Sequence, residues 1–227
     1  EVARYAGGTL TKEVNHQVHA FDITDSMRAS VQEGQPLFAR RPVRFRRTIA
    51  QLVEAARSAE SWRDWYDEFN DDLVRVFGSD ARLFRRMLSA TSQNSTVIGN
   101  VTLAVKAYRQ HKAGEPFTGF LGAVIINLNR VVADVALGGN KISQFDEANG
   151  GNADAMAIDL HVAELLFGTK KPTLAQHRAG WARIRKIAVE LEWSARGTQA
   201  ALWAYNQIRQ GKEPQSYDTF IRAKEAE

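Results

Sequence analysis

Asp159 stands where an acid can do chemistry. It follows Met156, Ala157 and Ile158 and opens a segment whose Val162, Leu165 and Leu166 give a helix an apolar inner face. An acid at a helix N-terminus ordinarily caps it, and the helix dipole favours the ionised form. A carboxylate fixed in this way can also stabilise positive charge. Beside a deoxyribose C1′ it would stabilise the oxocarbenium ion that forms as a nucleobase departs. Upstream, Gly138-Gly139 allows a tight reversal and leaves the backbone N–H groups of Gly139, Asn140 and Lys141 uncovered at the start of a helix. Such groups bind a phosphate without reading a base. The ordinary reading of the glycine pair is a helix C-cap followed by a turn.

The elements that must position these residues read as helices. From Thr48 onward apolar residues recur at helical spacing: Ile49, Leu52, Val53 and Ala56, then Trp62, Trp65, Tyr66, Phe69 and Leu73. Ser79-Asp80 caps a third helix and Ser95 opens a fourth that stops before Gly114-Glu115-Pro116. Thr118 opens a fifth. A short helix runs from about Asn140 to Glu147, another begins at Ile158-Asp159 and stops at Gly168, and Thr173 and Ser194 cap two long final helices. The fold class is all-α, with about nine helices and a short irregular N-terminal extension. The extension spans residues 1–45 and the helical domain 46–227. Within the extension a short strand is expected near Val14–Phe21, and a short helix from Asp25 to Val31.

Composition excludes several function classes. The chain has no Cys, so it has no disulfide, thiolate zinc site, cysteine nucleophile or cysteine-ligated iron–sulfur cluster. His16, His19, His111, His161 and His177 show no metal-ligand spacing, so no metal and no cofactor is expected. No apolar run approaches the roughly 20 residues of a membrane span, and no stretch reads as a signal peptide. The expected setting is cytoplasmic and the expected state a monomer. A chain that opens on Glu1 rather than Met reads as part of a larger polypeptide. Net charge is −2 over residues 1–37, +1 over 38–79 and +5 over 80–227, with five arginines between Arg40 and Arg47. A basic surface suits a polyanion such as DNA, and a solvated face explains it as simply.

The order of hairpin, short helix, loop, apolar residues and Asp159-Leu160-His161-Val162 resembles the catalytic segment of the helix-hairpin-helix DNA glycosylases. "MLSATSQNSTVIGNV" (Met87–Val101) is similar in composition and place to their early helix. "QAALW" (Gln199–Trp203) is similar to the aliphatic–Trp ending of some members and of phage-encoded relatives. "HAFDITDSMRASVQEGQPLFARRP" resembles connecting segments of large phage and mobile-element proteins. The likeness spans roughly residues 80–210 and implies a base-flipping hydrolase that excises a modified or damaged base.

It implies Asp159 as the catalytic carboxylate, Gly139, Asn140, Lys141 and Ser143 as the DNA-gripping hairpin, and Gln93 or Asn94 as the filler of the gap left by a flipped nucleotide. The family hairpin carries a proline and a final glycine that are absent here. Some members use a lysine nucleophile. Counting forward from Gly139 places Ser143 there, and counting back from Asp159 places Lys141. A serine cannot form a Schiff base, which favours a monofunctional enzyme using water, with Lys141 open as lyase residue or phosphate contact. His161 is read as structural or near DNA. Trp181 and Trp203 read as core, with a face suited to stacking on an extruded base. The rival reading is a non-catalytic helical DNA- or protein-binding module of a large mobile-element protein.

Overall fold

A computed structural model describes the backbone of residues 4–6, 9–14 and 17–22 and all of 42–217, apart from the side chain of Phe69. The chain divides into two compact units, Glu1–Pro42 and Val43–Glu227. In the first, β1 (Arg4–Ala6), β2 (Thr9–Val14) and β3 (Gln17–Asp22) pair antiparallel in that order, with Leu10 opposite Tyr5 on one side and Phe21 on the other. The single strand expected over Val14–Phe21 is thus the end of β2 and most of β3. The helix expected over Asp25–Val31, and Arg40 and Arg41, lie outside the described residues.

The second unit is all-α. Its helices are α1 (Ile49–Arg57), α2 (Trp65–Phe77), α3 (Ala81–Thr91), α4 (Val97–Lys112) and α5 (Gly122–Val132), then α6 (Asn140–Asn149), α7 (Leu160–Phe167), α8 (Leu174–Leu191) and α9 (Ala195–Arg209). Short 3-10 turns, Glu60–Trp62 and Gly78–Asp80, precede α2 and α3. Thr173 and Ser194 cap α8 and α9 as the sequence predicts, and Thr48, where the helical pattern begins, caps α1; Thr48 and Thr173 form reciprocal capping boxes with Gln51 and Gln176.

Two other expected starts are displaced, and a third stands where expected without its cap bond: Asp80 is the N-cap of α3. Asp80 makes no cap bond; its carboxylate accepts from Tyr108 Oη at 2.7 Å and Lys112 Nζ at 3.0 Å instead. Ser95 donates back to the Thr91 carbonyl, and Thr96 caps α4. Thr118 pairs with Gln110, and α5 starts only after Leu121. Trp62 lies in the turn ahead of α2, not within the helix.

Two apolar clusters fill the unit. Tyr66, Phe84, Met87, Leu88 and Leu128 centre the first, where α3 packs against α4, α5 and α6. Leu52, Ile158, Leu165, Leu166, Ile184 and Leu202 centre the second, among α1, α7, α8 and α9. Helix α9 serves both: Ala200 belongs to the first cluster, Ala201 and Ala204 to the second. Each fully buried Leu or Phe contributes about 1.5–3 kcal/mol against exposure. The stretch Ala155–Ile158 is buried throughout and closes against α8 at Gly180, where any Cβ would collide with the Ile158 side chain. That close approach fixes the residue that follows, Asp159.

Candidate active site

Asp159 is the N-cap of α7. Its Oδ1 accepts from the backbone N–H groups of His161 at 3.0 Å and Val162 at 2.9 Å. The side chain is half-buried, and its Oδ2 makes no hydrogen bond among the described residues. One oxygen is therefore spent on the helix and the other is left over. The backbone here is extended (φ −83°, ψ −173°), the geometry an N-cap requires.

The glycine turn is built by α5. Asn127 Oδ1 accepts from Gly138 N–H at 2.8 Å, and its Nδ2 donates to the Gly138 carbonyl at 3.3 Å, so one side chain holds both backbone polar groups of Gly138. Gly139 follows at φ +95°, a conformation that a side chain would strain, and it begins α6 with no side-chain cap. Ser143 turns inward on this loop: its N–H and hydroxyl both go to the Gly139 carbonyl, at 3.0 and 2.9 Å. Gly139 and Asn140 are exposed.

Lys141 points the other way, towards the end of α3. Its Nζ donates to the Ser92 carbonyl at 2.8 Å and Ser92 Oγ at 3.0 Å, and lies 5.3 Å from the centre of the Phe145 ring. The ammonium thus sits at the C-terminus of α3, where the helix dipole favours a cation. Burial pulls its pKa below the ordinary value, and the Asp159 carboxylate opposes that pull. Gln93 and Asn94 follow Ser92 in the α3–α4 connection, Asn94 exposed and at φ +55°. The fold brings together Lys141, the Ser92–Asn94 corner and the charge of Asp159.

Residues that the sequence did not single out line the same centre. Tyr66 Oη donates to Gln199 Oε1 at 2.5 Å, deep between α2 and α9. Burial raises the Tyr66 pKa well above its ordinary value, and the Asp159 charge pushes it further. The Tyr66 and Trp65 rings both meet Phe145, at 6.0 and 6.3 Å. Asn100 Nδ2 donates to the Tyr217 hydroxyl at 2.6 Å, and the Trp65 indole donates to the Gln215 carbonyl. Tyr217, buried after α9, has its own pKa raised by that burial. No local pattern marks these groups; their partners come from distant stretches of chain.

The two tryptophans named for stacking are occupied differently. Trp203 is half-buried and packs against Trp65 at 5.9 Å and Trp62 at 6.4 Å. Trp181 donates its indole N–H to the Met156 carbonyl at 3.2 Å, bracing the segment that leads to Asp159. His161 uses its carbonyl to accept from Asn206, while its Nδ1 is buried without a partner. Burial lowers the His161 pKa, with the Asp159 charge opposing.

Two concavities open elsewhere on the unit. One of about 440 Å³ runs along α4 between Thr102 and Glu115; one of about 310 Å³ lies between α3 and Asp134–Asp146. Neither includes Asp159 or Lys141. Among the described residues no group of three His, Asp or Glu is placed to hold a metal ion, and no helix is long and apolar enough to cross a membrane. Compared with known proteins, the chain matches no family model, no curated protein and no solved structure.

Proposed function

We propose that the helical unit is a DNA N-glycosylase of the helix-hairpin-helix kind, acting on a flipped, modified or damaged base. One observation carries the reading. Asp159 is held rigidly by two backbone N–H groups through one oxygen, keeps a second oxygen unbonded, and lies within electrostatic reach of a lysine on the helix that follows a glycine turn. In the proposed reaction Asp159 stabilises the sugar cation as the C1′–N bond breaks and positions the attacking water. The uncapped start of α6 at Gly139 and Asn140 grips a backbone phosphate, and Gln93 or Asn94 enters the stack. Lys141, tied to Ser92, holds α6 against α3 and leaves the chemistry to water.

The same Lys141–Ser92 bond favours a second reading, a non-catalytic binding module in which the turn and lysine are structural. Asp159→Asn separates the two. Asn caps a helix as well as Asp does, so the fold is kept. Free bases released from genomic and phage DNA are counted by mass spectrometry. Glycosylase action requires release by the native chain and a loss of about 10²-fold or more in D159N, with DNA binding unchanged. Absence of release from every DNA overturns the catalytic reading.

A further inference from the structure

The segment just ahead of α1 is docked onto α7 and α8. The Arg46 N–H donates to the Leu166 carbonyl at 2.7 Å, and the Phe45 ring meets Phe167 at 5.2 Å. The Arg183 guanidinium of α8 lies over Phe45 at 3.8 Å, and the Arg46 stem passes Gly168. This docking brings two acid-free stretches side by side. Residues 43–53 contain Arg44, Arg46 and Arg47 and no acid; residues 165–189 contain Lys170, Lys171, Arg178, Arg183, Arg185 and Lys186 and no acid.

Of the nine cations, Arg47 and Arg183 are half-buried and the other seven are exposed. None of the nine forms an ion pair among the described residues. On α8 the buried residues His177, Gly180, Ile184, Ile187 and Leu191 define the inner face, so Arg178, Arg185 and Lys186 must fall on the solvent side. Three acids border these stretches: Glu164 of α7, which accepts from Gln210; Glu190, one turn beyond Lys186 on α8; and Asp154, whose carbonyl accepts from Arg185 at 3.4 Å; none forms an ion pair with the nine cations among the described residues.

We infer that the arm at Arg44–Arg47 and the outer face of α8 form one composite surface for the phosphate backbone of duplex DNA. Nine cations gathered with few acids and no ion pair among the described residues repel one another, and a polyanion offsets that repulsion while releasing its own counterions. Helix α8, 18 residues and so about 27 Å long, spans most of one duplex turn. Reading the occupant as DNA rests on the proposed function; the unpaired basic face does not. The surface lies towards the far end of α7 from Asp159, about 12 Å along the helix, so it extends the DNA footprint beyond the turn at Gly139.

The test is the salt dependence of binding to a fluorescent 24-base-pair duplex, followed by anisotropy. The double variant Arg178→Gln with Lys186→Gln removes two charges from this face; Lys106→Gln with Arg109→Gln removes two exposed charges from α4. Circular dichroism confirms that both fold. The α8 pair should lower the slope of log affinity against log salt by about 2, and the α4 pair should leave it unchanged. An unchanged slope in the α8 pair, or equal losses in both pairs, overturns the proposal. So does loss of binding to anionic phosphatidylserine vesicles without loss of duplex binding, which would make the face a membrane contact. Base release is measured on the same proteins. If no base is ever released yet the α8 pair alone flattens the slope, the surface stands and the glycosylase reading falls.

Discussion

On α3, Arg82 and Arg86 reach across to the α5–α6 connection, whereas the arginines of α8 reach nothing of opposite charge. Arg86 is held by Asp134 at 2.7 Å, Asp146 at 3.2 Å and the Val135 carbonyl at 2.6 Å, with its side chain only 10% exposed. Arg82 makes a two-pronged bond to Asp134 from the surface. The α8 face carries four cations between residues 178 and 186 without one carboxylate partner among the described residues; Arg185 reaches only the Asp154 carbonyl, at 3.4 Å. Both regions are basic in sequence. The first uses its charge up within the molecule, to fix the connection that leads to Gly139; the second leaves its charge without an ion pair among the described residues. Charge count alone does not separate these uses; the placement of acids does.

The sharpest way to break the contrast is to remove Arg86. Burial pushes the Asp146 carboxyl above its ordinary pKa, against the pull of Arg86 and Ser89. A carboxyl raised in this way contributes least at neutral pH and more as it gains a proton on acidification. Arg86→Met leaves Asp146 without its strongest counter-charge, and urea unfolding should show a loss of about 3 kcal/mol at pH 8. The loss should shrink towards pH 5, because Asp146 can then protonate. Arg82→Gln, at the exposed end of the same network, should leave the midpoint nearly unchanged. If Arg86→Met unfolds no more easily than Arg82→Gln, the claim that this cluster is structural is wrong.

Much of the frame was legible because its signals are local. Thr48 and Thr173 cap helices whose N3 residue is Gln, four residues that carry their own instructions. Asp159 was legible for the same reason: its two bonds go to the next three residues. Ser95 and Thr118 misled because each has a better partner elsewhere, Ser95 in the Thr91 carbonyl and Thr118 in Gln110, whereas Asp80 keeps the N-cap position and gives its carboxylate to Tyr108 and Lys112. The centre around Asp159 was legible only in part. Lys141 finds Ser92 49 residues away, and Tyr66 finds Gln199 133 residues away. Bonds of that separation leave no periodicity or spacing to read. The arm at Arg44–Arg47 showed in the sequence as charge, but its docking on Leu166 and Phe167 depends on the packed helices.

The inner face of α8 offers a second, smaller test. His177 is buried against Trp181, its Nδ1 lacks a partner, and burial lowers its pKa from an ordinary value of 6.5. The folded chain therefore takes up this proton less readily than the unfolded chain. The stability this gives is complete above pH 6.5 and is lost as pH falls through 6.5 towards the lower folded value. His161 behaves in the same direction. The melting temperature should fall between pH 7 and 5, and His177→Gln should flatten part of that fall. A His177→Gln chain whose melting temperature changes with pH as the native chain's does contradicts the buried, neutral histidine, since the opposite trend from Asp146 is common to both.

The outer face of α8 should show the smallest effect on folding, and that smallness is informative. Arg178 and Lys186 are exposed and make no hydrogen bond or ion pair among the described residues, so their removal breaks no contact. Neutralising them relieves repulsion from Arg183 and Arg185 on the same helix. The double variant Arg178→Gln with Lys186→Gln should therefore unfold within about 0.5 kcal/mol of the native chain. The attraction of Lys186 to Glu190, one turn on, is lost with the lysine and offsets that relief, so any shift should be small and should disappear in 0.5 M salt, where charges more than about 4–5 Å apart are screened. A clear destabilisation would mean that these cations hold the fold, as Arg86 does. The two clusters would then be the same device in two places, and the α8 face would no longer be free for DNA.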